Sequence, residues 1–231
     1  MRGLAKPSQP AIIVLERTNV LTVYSMCTGD KYDPEYARVL KRMVTRHLSI
    51  KHRFVCISDK HIDGVDTIDP PTPYPGWWGK IGLFKFTGPS LWLDLDVVLT
   101  GNIDGFVGTD KTLRICRNWA QSGHGGCQSS VMYWEDAEWI LDSFEYDIYA
   151  CWPPSNIHPK LWGDQEYLTM LRDEDSLDVD YFDETQVASY KYHCLPRLLF
   201  DGPPRNTRVV VFHGKPDPHE VSDPWVIEAR T

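Results

Sequence analysis

The sequence predicts an α/β protein with a mostly parallel central sheet, helices on its flanks and a smaller region of strands and loops. Apolar and β-branched runs alternate with helical patterns between residues 20 and 99, an order typical of parallel sheets. The run over 91–99 is apolar except for two aspartates, as expected of a strand that is buried on both faces. The content of 42% hydrophobic and 24% charged residues is that of an ordinary globular domain.

We expect one domain over residues 1–231, with residues 1–18 as a tail or edge segment that includes a short strand at 11–15. The net charge of −8 argues against a broad surface for nucleic acid or anionic membranes. Because no stretch is long enough to span a membrane and residues 1–10 lack the apolar core of a secretory signal, we expect a cytoplasmic protein. The cysteines include no C-x-x-C pair, so we expect reduced thiols at Cys27, Cys56, Cys116, Cys127, Cys151 and Cys194.

The first strand is predicted at 20–26 and the second at 54–57, with a helix between them. Asp33, Pro34 and Glu35 supply a capping acid, a proline at the first helical position and an acid in the first turn. The apolar residues that follow with helical spacing are Tyr36, Val39, Leu40, Met43, Val44 and Leu48. This strand–helix–strand order predicts a right-handed crossover and parallel pairing of the strands.

A proline-rich segment at 69–75 interrupts this pattern, and a short helix through residue 86 leads to the central strand over 91–99. Polar loops are expected at 118–126 and 153–159. Further strands are predicted at 113–117, 127–134, 179–182, 189–192 and 208–212, and further helices at 137–144 and 163–171.

Asp94 and Asp96 are the most informative residues of the chain. Unpaired carboxylates are costly inside a buried strand, so we expect this pair where the strand ends and the chain turns into a cleft. Since residues i and i+2 of a strand share a face, the two side chains could converge on one divalent cation, and Mg²⁺ and Mn²⁺ favour such oxygen ligands. The alternative is two capping or solvated aspartates at the end of a strand.

Three further motifs carry polar groups that are weak signals when taken alone. His213 could bind Mn²⁺ and Lys215 could bind phosphate, or both could belong to an ordinary surface turn. Asp164 and Gln165 open a predicted helix, where a capping acid is common. Lys80 would otherwise be a solvated charge on a helix.

Together the motifs resemble the retaining, glycogenin-like glycosyltransferases of family 8, which have the Rossmann-like GT-A fold. The resemblance runs from about residue 20 to residue 216, and the motifs occur in the order found in the family. They are Thr28-Gly29-Asp30-Lys31-Tyr32, Gly79-Lys80, Leu93-Asp94-Leu95-Asp96 with Asn102-Ile103-Asp104, Gln128-Ser129-Ser130-Val131, Gly163-Asp164-Gln165 and His213-Gly214-Lys215-Pro216. The resemblance implies transfer of a hexose from a nucleotide-diphosphate sugar to an acceptor hydroxyl, with metal dependence and retention of configuration.

The resemblance also implies roles for individual residues. Asp94, Asp96 and His213 would bind Mn²⁺ or Mg²⁺, and the default donors would be UDP-glucose and UDP-galactose. Asp164 and Gln165 would be catalytic, because they would position the sugar and stabilise its positive charge. The donor-binding residues would be Thr28, Asp30, Tyr32, Lys80, Asp94, Gln128, Ser129 and Lys215.

Departures from the family pattern leave parts of this picture open. Gln128 and Ser130 stand where the family has Asn and Gly, so the identity of the donor sugar is open. The C-terminal motif is shorter than usual, so Lys215 could approach the diphosphate differently. No carboxylate nucleophile is evident from chain position, and we expect a front-face route in which the leaving phosphate oxygen accepts the proton of the acceptor.

The acceptor also stays open: a glycan, a lipid-linked glycan, a protein hydroxyl or a modified nucleic-acid base, the last disfavoured by the acidic charge. We expect its walls at 117–126 and 146–159. Trp119, Trp152 and Trp162 are available there to stack on sugar rings, or simply to fill the core.

Two other function classes remain as alternatives. The pair Asp94 and Asp96 also resembles the D-x-D motif of haloacid-dehalogenase-type phosphatases, although that class usually opens with the motif and here it lies deep in the chain. A non-catalytic module that binds sugar nucleotides is the third possibility.

Overall fold

The computed structural model describes residues 20–119, 126–151, 161–197 and 202–231, except the side chains of residues 149–151 and 197. The predicted edge strand at 11–15 and most of the predicted loops at 118–126 and 153–159 lie outside the described residues. The strands are β1 Leu21–Cys27, β2 His52–Ser58, β3 Asp66–Ile68, β4 Ser90–Leu93, β5 Val97–Leu99, β6 Leu113–Arg117, β7 Cys127–Trp134, β8 Val179–Tyr181, β9 Val187–Ser189 and β10 Val209–Val211. The α-helices are α1 Glu35–His47, α2 Glu138–Cys151, α3 Asp164–Asp173 and α4 Pro224–Arg230. Shorter helical segments are the 3₁₀ helices Gly76–Lys85, Asp104–Phe106 and Leu195–Arg197 and the π-helix Tyr190–Cys194.

A seven-stranded sheet with the order β3-β2-β1-β4-β7-β6-β8 forms the centre of the fold. β1 pairs in parallel with β2 and β4, β2 with β3, and β6 with β8, whereas β7 runs antiparallel to β4 and β6. The sheet is therefore mixed but mostly parallel, as predicted. Because β1 and β4 are parallel neighbours, their carboxyl ends lie at the same edge of the sheet, where ligands of α/β proteins collect.

The prediction of one continuous strand over 91–99 is wrong, because the chain leaves the central sheet at Asp94. β4 ends just before this residue, and β5 pairs antiparallel with β10 in a separate three-stranded sheet of order β5-β10-β9. A turn joins the two strands, in which the Val97 N–H donates to the Asp94 carbonyl oxygen at 3.3 Å. Asp94 and Asp96 therefore do not share a face of one strand, but they do lie where a strand ends, and that part of the prediction is confirmed.

Alternating residues of the central strands face two apolar cores on opposite sides of the sheet. Val23 of β1 and Leu91 of β4 pack into the core that contains the buried face of α1. Tyr24 and Trp92 pack into the other core, with α2, α3 and the 3₁₀ helix Gly76–Lys85. Burial on both sides explains why apolar residues occupy both faces of these strands instead of alternating with polar residues.

Helix α1 begins close to its predicted start. Asp33 Oδ1 accepts the N–H of Glu35 at 2.7 Å, and Pro34 occupies the N-cap position. The apolar stripe is buried as its spacing predicts: Tyr36, Ala37, Val39, Leu40, Met43 and Val44. The strand–helix–strand unit that begins the chain is thus confirmed.

The later part of the chain holds smaller differences from the prediction. The strand expected at 189–192 lies earlier, at β9, and the π-helix Tyr190–Cys194 follows it. Neither β3 nor α4 was predicted, and both are short. β3 pairs with the preceding strand β2, whereas α4 packs on the distant elements α1 and β5. Cys27, Cys56, Cys116 and Cys127 are buried free thiols. Among the described helices, none has the length and apolar character needed to cross a membrane.

Replacing a central-strand residue is expected to cost far more stability than replacing an exposed apolar residue. Leu91 is fully buried, whereas Ile227 of α4 is 56% exposed. We expect Leu91→Ala to lower the free energy of unfolding by about 2–5 kcal/mol because of lost burial and a residual cavity, and Ile227→Ala by about 0.5 kcal/mol or less. Urea denaturation followed by circular dichroism measures both. Equal effects of the two substitutions would contradict the described packing.

Candidate active site

Two adjoining cavities lie at the carboxyl ends of β1 and β4. We call the first, of about 600 Å³, the carboxylate cleft. Most of the predicted site residues line it: Thr28, Asp30, Tyr32, Lys80, Asp94, Asp96, Gln128, Gln165 and His213. We call the second, of about 210 Å³, the tryptophan pocket; it is lined by Trp77, Asn118, Trp119, Gln128, Trp162, Gly163, Asp164, Gln165, Glu166 and His213. The fold therefore brings residues from both halves of the chain to one place.

Asp94 is held in a fixed position at the end of β4. Its Oδ1 accepts hydrogen bonds from Lys80 Nζ at 2.7 Å and from the indole N–H of Trp92 at 2.9 Å. Its backbone N–H donates to the Ser130 carbonyl oxygen at 2.9 Å, which ties the turn to β7. Both side-chain donors bind the same oxygen, and Oδ2 takes part in neither bond.

Lys80 connects Asp94 with the neighbouring strand β7. Its ammonium also donates to Ser129 Oγ at 3.2 Å, and Ser129 itself is fully buried behind the cleft. Burial by itself would lower the pKa of Lys80, but the negative charges of Asp94 and Asp164 outweigh it and raise the pKa. Lys80 thus stays charged and compensates the surrounding carboxylates.

Asp96 is buried in the cleft wall and is only 7% exposed. Its Oδ2 accepts the hydroxyl of Tyr32 at 2.7 Å. Burial, together with the negative charge of Asp94, raises the pKa of Asp96 to about 7 against the opposing effects of Tyr32, Lys31 and Lys80. A buried carboxyl group beside a second carboxylate is an arrangement that a bound cation would stabilise.

His213 follows β10, the middle strand of the smaller sheet, and faces both cavities. Its Nε2 lies 2.7 Å from Ser189 Oγ, and its ring stacks on Tyr192 with the centroids 5.6 Å apart. Burial, and then the positive charges of Lys191 and His193, lower the pKa of His213. The imidazole is therefore neutral near pH 7, the form in which histidine binds metals, and Nδ1 is the nitrogen not engaged by Ser189.

The three predicted metal ligands line the same cleft, but they are not clustered around one point. Within the described ranges, no three His, Cys, Asp or Glu side chains are grouped closely enough to hold a metal ion. Asp94 and Asp96 supply the oxygen donors that Mn²⁺ and Mg²⁺ favour, and His213 lines the same cavity. These side chains offer the types of donor atom that Mn²⁺ and Mg²⁺ bind. Their assignment as metal ligands stays a prediction.

Asp164 and Gln165 open α3 beside this charge cluster. The Asp164 side chain is 2% exposed, and its Oδ2 has no hydrogen-bond partner in the described part of the protein. Burial raises the pKa of Asp164, although Lys80 opposes that shift. Gln165 lines both cavities, which places it at their junction. Gln128 also lines both cavities. Its side-chain amide donates to the Ser130 hydroxyl group and accepts the backbone N–H of Ser130.

Two predicted donor-binding residues are placed less favourably than the others. Lys215 does not line the cleft; its exposed ammonium pairs with Asp217 at 2.8 Å and Glu220 at 2.6 Å. Tyr32 does line it, but Lys31 Nζ lies 4.5 Å from the centroid of the Tyr32 ring, on a face that a base could otherwise use. Binding of the diphosphate by Lys215 and stacking of uracil on Tyr32 stay predictions.

The structure adds residues that the sequence interpretation did not select. Trp77 lines both cavities and packs against Gly163, where a Cβ atom would lie 3.0 Å from Trp77 Cβ. A Cβ atom on Gly214 would lie 3.3 Å from Lys191 Nζ, so this ammonium stands beside the predicted phosphate-binding turn. The Gly76-Trp77-Trp78-Gly79 sequence was a usable signal for Trp77, but no local motif distinguishes Lys191.

Comparison with known proteins gives a clear result at the level of structure and none at the level of sequence. No protein-family model matches the sequence, and no curated protein matches it either. Among solved structures, galactosyltransferase LgtC in complex with donor and acceptor sugar analogs has a TM-score of 0.63 and 13% identity, covering 91% of this chain and 95% of LgtC. A structure of an active-site Gln→Glu mutant of LgtC has a TM-score of 0.64, with 13% identity over 90% of this chain and 95% of that one.

Larger glycosyltransferases are similar over part of their length. The apo form of the glycosyltransferase GlyE from Streptococcus pneumoniae has a TM-score of 0.65 and 14% identity, and it is matched over 60% of its chain and 92% of this one. The bifunctional glycosyltransferase WbbM has a TM-score of 0.63 and 8% identity over 51% of its chain and 99% of this one. At such identities the likeness concerns the fold alone, and the predicted fold class is confirmed: this chain has the GT-A fold of glycosyltransferases.

Proposed function

We propose that the protein is a metal-dependent glycosyltransferase of the family 8 type, which moves a hexose from a UDP-sugar to an acceptor hydroxyl with retention of configuration. One observation carries the proposal: the end of β4 in a GT-A fold brings Asp94, Asp96 and Lys80 into the same cleft as Gln165 and His213. These residues come from four separate stretches of the chain, and the cleft is large enough for a nucleotide sugar.

The electrostatics of the cleft support binding of a cation together with a diphosphate. Burial, and then the negative charge of Asp94, raise the pKa of Asp96 and of Asp164, and Lys80 is the ammonium that pairs with Asp94. Asp94 and Asp96 would hold Mn²⁺ or Mg²⁺, with His213 as a further donor. The bound metal would supply positive charge against the diphosphate, which is a poor leaving group until its charge is neutralised.

The residues at the junction of the two cavities suit the transfer itself. In the proposed front-face reaction, the bond from the anomeric carbon to the diphosphate oxygen breaks, and the acceptor oxygen bonds to the same face of that carbon. The acceptor proton passes to the leaving phosphate oxygen. Gln165, at the junction, would position the sugar, and the buried carboxyl group of Asp164 would stabilise its developing positive charge.

Release of UDP tests this function most directly. The protein is incubated with UDP-glucose or UDP-galactose, each with Mn²⁺ or with excess EDTA, and UDP is quantified. We expect release that requires the metal. Asp94→Asn and Asp96→Asn should each lower the rate by about a hundredfold or more, the scale expected for lost electrostatic stabilisation, and the exposed control Asp142→Asn should not.

Two results would contradict the proposal. Release of inorganic phosphate from p-nitrophenyl phosphate without release of UDP would identify a phosphatase instead. Calorimetric binding of the UDP-sugar without turnover over any acceptor would identify a non-catalytic binding module. A glycosyl-enzyme intermediate trapped on Asp164 with a fluorinated donor would leave the transferase assignment intact but exclude the front-face route.

Substitution of two lysines tests which ammonium contacts the diphosphate. Lys191 stands beside Gly214, whereas Lys215 is engaged by Asp217 and Glu220. We expect Lys191→Ala to raise the KM for the UDP-sugar about tenfold or more, since a hydrogen bond to a charged group contributes about 1.5–3 kcal/mol. Lys215→Ala should raise the KM less.

Steady-state kinetics at saturating Mn²⁺ measure both lysine variants. Lys111→Ala is the matched control, because Lys111 pairs with Asp178 outside both cavities. The reverse order, with Lys215→Ala the more damaging substitution, would support the role that the family resemblance implies for Lys215 and overturn ours for Lys191.

Asp164→Asn is expected to lower the transfer rate and yet to stabilise the protein at alkaline pH. Because the pKa of Asp164 is raised on folding, its contribution to stability is full below its unfolded pKa of about 3.9 and is lost as the pH rises through the higher folded value. The Tm advantage of the variant should therefore grow as the pH rises above about 4 and level off above the folded pKa, as thermal unfolding at a series of pH values would show. A Tm of Asp164→Asn below that of the wild type at pH 8 would contradict this reasoning.

A further inference from the structure

The turn that follows β1 forms one wall of the carboxylate cleft. We call residues 28–32 the β1 turn, and all five of them line the cleft. The middle of the turn has little packing of its own. The side chain of Asp30 is fully exposed, and a Cβ atom on Gly29 would meet no atom within 4 Å beyond its chain neighbours. The shape of this wall therefore depends on hydrogen bonds more than on packing.

Gly29 is the position at which the β1 turn most needs a restraint from outside. Its φ angle of +64° lies in the left-handed region, which glycine adopts without strain. Glycine also has more backbone freedom than any other residue, so this conformation is only weakly fixed by local sterics. Rotation of the backbone at Gly29 would change the directions of the neighbouring side chains, Thr28 and Asp30.

Two consecutive residues that follow β2 bind both backbone polar groups of Gly29. The Gly29 N–H donates to Asp59 Oδ2 at 3.0 Å, and Lys60 Nζ donates to the Gly29 carbonyl oxygen at 2.8 Å. The N–H belongs to the peptide group shared with Thr28, and the carbonyl belongs to the peptide group shared with Asp30. The two hydrogen bonds therefore fix the peptide planes on both sides of Gly29.

Asp59 and Lys60 hold the β1 turn without facing the cleft. Neither residue lines the carboxylate cleft; both line a third cavity, of about 620 Å³, which shares no described lining residue with the cleft. Ser58, which also lines the third cavity, donates its hydroxyl group to the Cys27 carbonyl oxygen at 2.8 Å. The end of β2 thus supports the turn from behind, and a ligand in the cleft would contact the turn rather than its support.

We propose that Asp59 and Lys60 are positioning residues for the nucleotide part of the UDP-sugar. They hold the β1 turn in the conformation in which Thr28 and Asp30 meet the nucleotide. This inference rests on the proposed function, in which residues of this turn bind the UDP-sugar. The restraint serves binding and not bond breaking, because neither positioning residue lines the cleft in which the reaction would occur.

Asp59 separates an effect of hydrogen bonding from an effect of charge, because the two have opposite signs. Removal of a negative charge would by itself favour binding of an anionic UDP-sugar. Removal of the acceptor for the Gly29 N–H would loosen the turn and weaken binding. We expect Asp59→Ala to raise the KM for the UDP-sugar about fivefold, the scale of one lost hydrogen bond. Asp59→Asn, whose amide oxygen still accepts this N–H, should stay within about twofold of wild type.

Lys60 gives a second pair of variants for the same measurement. Lys60→Ala should also raise the KM about fivefold, and Lys60→Arg, which keeps an N–H donor, should recover most of the loss. Asp69→Ala and Lys85→Ala are the matched controls, because both residues line the third cavity and neither is hydrogen-bonded to the β1 turn in the described structure. In all of these variants kcat should stay within about twofold of wild type, as expected when only uniform binding is lost.

Hydrogen–deuterium exchange and calorimetry test the inference without sugar transfer. Exchange of the backbone amides over residues 28–32 should be faster in Asp59→Ala and Lys60→Ala than in wild type. Calorimetric titration with UDP and Mn²⁺ should show weaker binding by the same two variants. Weaker UDP binding supports the positioning role even if no UDP-sugar is turned over, in which case only the proposed transferase activity fails.

Three results would overturn the inference while leaving the transferase function intact. One is an unchanged or lower KM for Asp59→Ala, and another is a KM for Asp59→Asn as high as that for Asp59→Ala. Both would mean that the bond to the Gly29 N–H does not serve binding. The third is a fall in kcat at an unchanged KM, which would assign these residues to the reaction itself.

Discussion

The need to keep two aspartates out of a buried strand organises this structure. A fully buried strand occupies the centre of the sheet up to Leu93, and a carboxylate at the next position cannot be buried there without compensation. The chain therefore turns at Asp94, where Lys80 and the Trp92 indole compensate one carboxylate oxygen, and continues as a strand of a second sheet. The cleft lies at this change of sheet, so the same residues that divide the fold also line the candidate active site.

The compensation of charge in the cleft is incomplete in the protein alone. The raised pKa values of Asp96 and Asp164 show that the folded chain disfavours their ionised forms. Such groups lower stability near neutral pH and are typical of sites that bind a cation or develop positive charge during a reaction. Lys80 moderates this cost because it pairs with Asp94 and lies close to Asp164, which couples the 3₁₀ helix Gly76–Lys85 to the start of α3.

Under the proposed function, the two cavities would serve different parts of the reaction. The carboxylate cleft contains charged and hydrogen-bonding groups suited to a nucleotide diphosphate, and the tryptophan pocket contains aromatic surfaces suited to a neutral ring. Gln165 belongs to both cavities, at the boundary where the two substrates would meet. Glycine at position 163 permits this arrangement, because a side chain there would meet Trp77.

Local sequence rules predicted a large part of the fold. The apolar runs, the capping residues before α1 and the cost of burying Asp94 and Asp96 predicted the early strands and helix, a mostly parallel sheet and a strand end at the aspartates. These features depend on neighbours in the chain, so they can be read from it. The order of the motifs also predicted most residues that line the cleft.

Only the tertiary structure decided the features that depend on distant contacts. It divided the run over 91–99 between two sheets, because the partners of its two halves, β7 and β10, lie far along the sequence. It placed Trp77 against Gly163 and Lys191 beside Gly214, and it turned Lys215 towards Asp217 and Glu220. No local pattern encodes these contacts, because each forms only after the sheets have brought separate segments together.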